Sequence, residues 1–303
     1  NYNVKGMIVM KKLLFVYNAH SGKGTIKSKL ADIIDIMVKN DYQVAAHPTQ
    51  AQGDATKIIE EESKDYDLIV CSGGDGTLDE VVTGMMHVQE KRPIGYIPMG
   101  STNDFANSLN LPKNILKAAE VAVSGRRFAC DVGRFNDNSF IYVAAFGIFT
   151  EVSYQTNQEL KNLLGHAAYI LEGAKSLRDI EAYNMRVEYG DMSLEGDFIY
   201  GMVSNSISVG GFKQIAGKNV LLDDGVFEVT LIRHPKNPLE LNEIVTSLVA
   251  RVDESYLIYS FKTDKICFYT EKEVPWTLDG EYGGAHTQTE IRNCHQAVEI
   301  IVE

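Results

Sequence analysis

Apolar runs and amphipathic stretches alternate through the first 125 residues. Lys12–Asn18 (Lys-Leu-Leu-Phe-Val-Tyr-Asn) is a continuous apolar run that ends in polar residues, as a strand buried on both faces would. Ile26, Leu30, Ile33, Ile34, Met37 and Val38 then recur at helical spacing, and Val44–His47 returns to strand character. The unit recurs. Leu68–Cys71 predicts a strand, Leu78, Val81, Val82, Met85 and Met86 mark one face of a helix, and Ile94–Pro98 predicts the next strand. Strands alternating with helices predict an α/β fold with a doubly wound parallel sheet.

Beyond about Gly125 the pattern changes to longer strand-like runs separated by turn signals: Phe140–Phe149, Asn184–Tyr189, Phe198–Ser204 and Val226–Ile232. They predict a mainly antiparallel β domain of sandwich type. One amphipathic helix interrupts it, with Leu160, Leu163, Leu164, Ala167, Ala168, Leu171, Ala174 and Leu177 on a broad apolar face that suits packing on a sheet. The expected domains are therefore 10–125 and 126–303, a division that suits the 303-residue length.

Composition narrows the function. Hydrophobic residues make up 45% and charged residues 23%, an ordinary globular balance that argues against disorder. A formal net charge of −12 disfavours nucleic acid, and it disfavours anionic headgroups gripped by a general basic surface, so phosphate binding has to be local. Cys71, Cys130, Cys267 and Cys294 form no C-x-x-C pair and read as reduced thiols of a cytoplasmic protein. The longest apolar stretch falls well short of the ~20 residues that a spanning helix needs. Asn1–Met10 lacks the layout of a signal peptide and reads as an added or late-start leader, with Met7 or Met10 as the expected start.

In open α/β sheets ligands bind beyond the carboxyl ends of the strands, so the loops there are the place to look for chemistry. Three are unusual: Asn18-Ala19-His20-Ser21-Gly22-Lys23-Gly24, Ser72-Gly73-Gly74-Asp75-Gly76-Thr77 and Met99-Gly100-Ser101-Thr102-Asn103-Asp104. Glycines let a backbone approach polyphosphate closely, and the amides of a following helix offer partial positive charge. The first loop suits helix capping and phosphate contact equally. In the second, an Asx-type turn capped by Thr77 would need only one of the three glycines. Neither G-x-G-x-x-G nor G-x-x-x-x-G-K-[ST] is present, and G-x-S-x-G and H-E-x-x-H are missing too, which sets aside the usual hydrolase and metalloprotease sites.

Gly73-Gly74-Asp75-Gly76-Thr77 after an apolar strand resembles the signature shared by diacylglycerol, sphingosine, ceramide and NAD kinases. Gly100-Ser101-Thr102-Asn103-Asp104-Phe105-Ala106 resembles the G-T-x-N-D-F-A of the lipid kinase branch. Thr49 with Gly53-Asp54-Ala55 is similar to the family's adenosine-side segment. Asn205, Gly210, Gly211, Ala216, Asp223, Asp224 and Gly225 follow the spacing of its C-terminal domain, and Asp279-Gly280-Glu281 matches its D-G-E. Ala19 and Ser101 depart from the usual Pro and Thr.

The resemblance implies that ATP is held by Asn18, Ser21, Gly22, Thr49, Gly73, Gly74, Asp75, Gly76, Thr77, Leu78, Asp79 and Ser101, with Asn103 and Asp104 beside them. It implies Mg²⁺ on the carbonyls of Leu221 and Val226 and the side chain of Asp224, an oxygen-only set that suits a hard cation. Phosphoryl transfer to an alcohol also needs a carboxylate to receive the proton. Glu281, Asp279 and Asp75 are the candidate catalytic acids, with Glu281 the favoured base.

The expected function is transfer of the ATP γ-phosphate to a lipid hydroxyl, with diacylglycerol as the default acceptor and the site lying in the cleft between domains. A kinase of NAD or sugar type and a nucleotide-binding regulator without turnover are the alternatives. The expected partners are a membrane lipid substrate and peripheral contact with a membrane surface from the cytoplasm. Nucleic acid is not expected, and a homodimer is admissible.

Overall fold

The computed structural model describes residues 10–148, 180–206, 208–209, 212–213, 220–250 and 255–303. The amphipathic helix expected over Leu160–Leu177 lies outside the described residues, as do Phe149, Gly210, Gly211 and Ala216. The chain forms two compact units. Residues up to Gly100, Leu109–Phe128 and Val298–Glu303 make the first, and Ser101–Ser108 with Ala129–Ala297 make the second.

In the first unit, strands β1 (Lys11–Tyr17), β2 (Tyr42–Pro48), β3 (Leu68–Gly73) and β4 (Ile94–Pro98) run parallel in the order β2-β1-β3-β4. Ile300 extends the sheet by pairing in parallel with Ile94. The apolar runs are explained by burial on both faces. Leu13, Phe15, Val70 and Ile97 share a cluster with Ile26, Ile33 and Met37 of α1 (Thr25–Lys39) and with Ala118, Ala119 and Ala122 of α5 (Ile115–Ser124). The alternate residues Leu14, Val16, Ile69 and Cys71 are also buried. Two further helices, α2 (Asp54–Glu62) and α3 (Asp75–His87), bury Ile58, Ile59, Leu78, Val81 and Met85. Asn114 opens α5, its Oδ1 accepting the N–H of Leu116 and Lys117.

The second unit is antiparallel. Its strands are β5 (Arg126–Phe135, entering from the first unit), β6 (Asn138–Phe140), β7 (Val143–Gly147), β8 (Tyr183–Tyr189), β9 (Met192–Ser204), the short pair β10 (Ser208–Val209) and β11 (Phe212–Lys213), then β12 (Phe227–Arg233), β13 (Ile258–Thr263), β14 (Lys265–Leu278) and β15 (Glu281–Val302). The main sheet here runs β13-β12-β9-β7-β14-β15, with β8 between β9 and β14 beside β7. Helix α4 (Asp104–Ser108) and helix α6 (Pro238–Ala250) are the remaining α-helices of the described residues. The core is aromatic. Trp276 meets Phe146 at 4.9 Å and Phe135 and Phe268 at 5.1 Å between ring centroids, all edge-on. At 1% exposure, truncating it to Ala would cost about 3–5 kcal/mol.

Candidate active site

Strand register brings the first unit's loops together. Tyr17 of β1 is level with Pro48 of β2 and Ser72 of β3, and Gly73 is level with Pro98 of β4, so the four following loops leave the sheet at one edge. Hydrogen bonds tie them to each other. Asn18 N–H donates to the Ser72 carbonyl at 2.9 Å, Thr49 N–H to the Tyr17 carbonyl at 2.9 Å, and Met99 N–H to the Gly73 carbonyl at 2.7 Å.

In the first loop the Asn18 side chain accepts His20 N–H at 2.9 Å and so shapes the turn that carries Ser21 and Gly22. In the second, α3 starts at Asp75 with Gly74 as its N-cap and no side chain capping it. Thr77 is therefore not the cap. It is buried against Gly73, where an added Cβ would lie 2.2 Å from Thr77 Oγ1, so only glycine fits there. The early amides of α3 form the kind of helix N-terminus that receives phosphate. Behind them Tyr96 Oη donates to the Gly73 carbonyl at 3.2 Å. Burial first, then the Asp75 carboxylate, pushes that phenol well above its ordinary pKa, so it stays a neutral donor.

The segment bearing Thr49 is fixed from two sides. Asp54 Oδ2 accepts Gln50 N–H at 2.9 Å and lies 3.2 Å from His47 Nε2, and these partners, the amide first, hold its carboxyl below the ordinary range. Glu80 reaches across from α3 and accepts Gly53 N–H at 2.8 Å and Ala55 N–H at 3.1 Å, one on each oxygen. One carboxylate thus joins the helix that follows the glycine loop to the start of α2. No motif at the sequence level pointed to Glu80 or Tyr96.

In the second unit Ser101, Asn103 and Asp104 lead into α4. Asn103 has a positive φ of 51°, Asp104 is buried, and Asn107 holds the turn by donating from its N–H to the Asn103 carbonyl and from Nδ2 to the Thr102 carbonyl, each at 2.9 Å. Leu221, Asp224 and Val226 share one loop, which buried Asp131 anchors. The Asp131 carboxylate accepts Gly225 N–H and Gln296 N–H, each at 2.7 Å, and Asn293 Nδ2 at 3.1 Å, while Asp131 N–H donates to the Leu222 carbonyl.

Lys262 Nζ lies 3.2 Å from Asp224 Oδ2 and 2.8 Å from Glu228 Oε1. Burial raises the Glu228 carboxyl against the pull of Lys262; burial opposes the ammonium too, yet both carboxylates keep Lys262 above its ordinary pKa. The carbonyl and carboxylate oxygens of this loop are hard donors and so fit Mg²⁺, which would compete with the Lys262 ammonium for Asp224. Among the described residues no group of three or more His, Cys, Asp or Glu side chains gathers as a metal cluster, so an ion here would rely on carbonyls and water.

Asp279 and Gly280 form the two-residue turn between β14 and β15, with φ of 50° and 88° and with Leu278 paired to Glu281. The neighbouring acids diverge. Asp279 is buried, its carboxylate accepting N–H groups of Ile141, Tyr142 and Val143, whereas Glu281 is exposed. Three backbone donors commit Asp279 to holding the chain.

The sequence pattern of the diacylglycerol kinase catalytic domain matches residues 12–135. A Staphylococcus carnosus diacylglycerol kinase is 35% identical over 279 residues, covering 90% of each chain. The chain belongs to the diacylglycerol kinase family. It is thus an ATP-dependent lipid kinase, a phosphotransferase with a hydroxyl acceptor. A Bacillus subtilis diacylglycerol kinase is 33% identical, covering 91% of each chain. The crystal structure of a Bacillus anthracis protein assigned as a diacylglycerol kinase superposes with a TM-score of 0.79 at 26% identity, covering 97% of each chain. Membership in this family sets aside the NAD-kinase and regulator readings. Among the described residues no helix is long and apolar enough to cross a membrane.

Proposed function

We propose that this lipid kinase phosphorylates diacylglycerol to phosphatidate at the expense of ATP and Mg²⁺. The observation that carries the reading is the Gly73–Thr77 loop opening α3, joined by backbone hydrogen bonds to its neighbours, in a chain of this family. Asn18, Ser21, Gly22, Thr49, Gly73–Asp79 and Ser101, with Asn103 and Asp104 beside them, hold ATP. The phosphates take the N-terminal amides of α3, and the segment braced by Glu80 takes the adenosine.

Leu221, Asp224 and Val226 hold Mg²⁺, which would supply charge neutralisation on the phosphate oxygens. Asp75 orients the phosphate end. Exposed Glu281 receives the hydroxyl proton, and Asp279 positions it by fixing the turn. In this reading the frame is the doubly wound domain expected over 10–125 with the β-sandwich domain expected over 126–303, although Ser101–Ser108 fall in the second compact unit and Val298–Glu303 in the first. The enzyme meets its lipid by peripheral contact at the cytoplasmic face of a membrane and takes no nucleic acid. A homodimer is compatible with every part of this reading.

The test is to incubate the enzyme with ATP, Mg²⁺ and diacylglycerol in mixed micelles and to identify the products by mass spectrometry. Phosphatidate and ADP in equal amounts are expected, with no turnover after chelation of the metal. Phosphorylation of a sphingoid base or a prenol in preference to diacylglycerol would replace the substrate assignment.

A further inference from the structure

At the other end of the same sheet the first unit holds a polar cavity of about 430 Å³. Lys11 at the start of β1, Lys91 and Arg92 just before β4, and Arg127 in β5 line it. It lies by the amino ends of β1, β3 and β4, whereas the glycine loops follow their carboxyl ends, so it is separate from the nucleotide loops. Four cations around one cavity stand out in a chain of net charge −12.

The lining contains one carboxylate, Asp67, and its Oδ2 is engaged by Lys12 N–H at 2.7 Å. Two acids outside the lining pair with its arginines. Arg127 Nη1 meets Glu299 at 3.1 Å, and Arg92 Nη2 meets Glu90 at 3.1 Å and the Lys64 carbonyl at 3.0 Å. Each arginine spends one nitrogen on these contacts, and a guanidinium carries five N–H donors. Arg92 Nε is buried, with no acceptor among the described residues. Tyr42 in the lining adds a hydroxyl donor, and burial first, then Asp67, raises its phenol above the ordinary pKa.

We propose that this cavity binds a small phosphomonoester, its phosphate gripped by Arg92 and Arg127 with Lys11 and Lys91 adding charge. Guanidinium forks match phosphate oxygens in geometry, and a volume in the range of small-ligand pockets leaves room for the organic part of the ester. The same dianion occurs free in solution and as the headgroup of phosphatidate.

The test uses the full chain with its nucleotide site saturated by the non-hydrolysable analogue AMP-PCP, so that phosphate binding there cannot contribute. Calorimetric titration with glycerol 3-phosphate at constant ionic strength is expected to show one binding event, weakened at least tenfold in the double variant Lys11→Gln, Arg127→Gln. Both side chains are exposed and leave the core untouched. Unchanged melting of the variant shows that it folds, and Arg127→Lys, which keeps charge without the fork, is expected to recover part of the affinity. A second arm pellets wild type and variant with phosphatidylcholine vesicles that contain phosphatidate. If the variant alone loses pelleting, the ligand is the lipid headgroup, and if both pellet alike, it is the free ester. No binding under AMP-PCP, or equal affinity in wild type and double variant, overturns the proposal.

Discussion

Asp279 and Tyr142 clasp each other: Tyr142 N–H donates to Asp279 Oδ1, and Tyr142 Oη donates to the Asp279 carbonyl, both at 3.0 Å. Further N–H groups from Ile141 and Val143 complete the carboxylate's set of three. Asp279→Asn keeps the volume but turns an NH₂ toward a backbone donor. It is expected to destabilise the fold by about 1–3 kcal/mol, as leaving a buried group unsatisfied does, and to lower kcat by displacing Glu281. Tyr142→Phe is expected to cost about 1 kcal/mol. Denaturant midpoints measure both.

Glu281→Gln keeps size and polarity and removes basicity. With a loose transition state the base acts late, so kcat is expected to fall on the order of 10²–10⁴-fold with nucleotide affinity nearly unchanged. Steady-state kinetics and ATP titration separate the two. A nearly active Glu281→Gln beside a folded but dead Asp279→Asn would reverse the roles.

Glu80 touches no proposed reacting atom, yet both its oxygens hold the start of α2. Glu80→Gln leaves one acceptor for two donors. The KM for ATP is expected to rise by roughly 3–10-fold while kcat stays within about twofold, the signature of lost uniform binding. A fall in kcat at constant KM would place Glu80 in the chemistry instead.

Arg292 and Lys265 hold the Glu290 carboxyl down to about 2, against an ordinary 4.5. A depressed carboxyl adds stability that is present above its ordinary pKa and lost as pH falls toward the depressed value. Between pH 4.5 and 2 the urea midpoint of the wild type is therefore expected to drop more steeply than that of Glu290→Gln. The side chain is 38% exposed, so salt should narrow the gap. Equal slopes would leave Glu290 without a role in acid stability.

The early elements were legible because each carries its own period: β1, α1, β3, α3 and β4 fall where the apolar spacing predicts. What needed tertiary contact was hidden. Ile300 pairs with Ile94 across most of the chain, and Asp131 gathers Gly225, Asn293 and Gln296 from two distant segments, so no local pattern could announce either. Helix α5 was missed although Asn114 before an apolar run was a readable cap. Asp279-Gly280 carried a second signal, because Asp-Gly favours a two-residue hairpin as much as it marks the family. Lys11, Lys91, Arg92 and Arg127 are scattered in sequence, and only the fold collects them.

The central claim is that the Gly73–Thr77 loop serves lipid phosphorylation, with diacylglycerol as the acceptor. It is tested most directly by incubating wild type and Asp75→Ala with γ-labelled ATP and one detergent mixture of diacylglycerol, phosphatidylglycerol, a sphingoid base and a prenol, then separating the lipids. The account predicts label in phosphatidate alone for the wild type. It predicts none for the variant, whose melting should be nearly unchanged because a residue at the first turn of α3 adds little to the core. Label in another lipid, or a folded Asp75→Ala working at near wild-type rate, would contradict it.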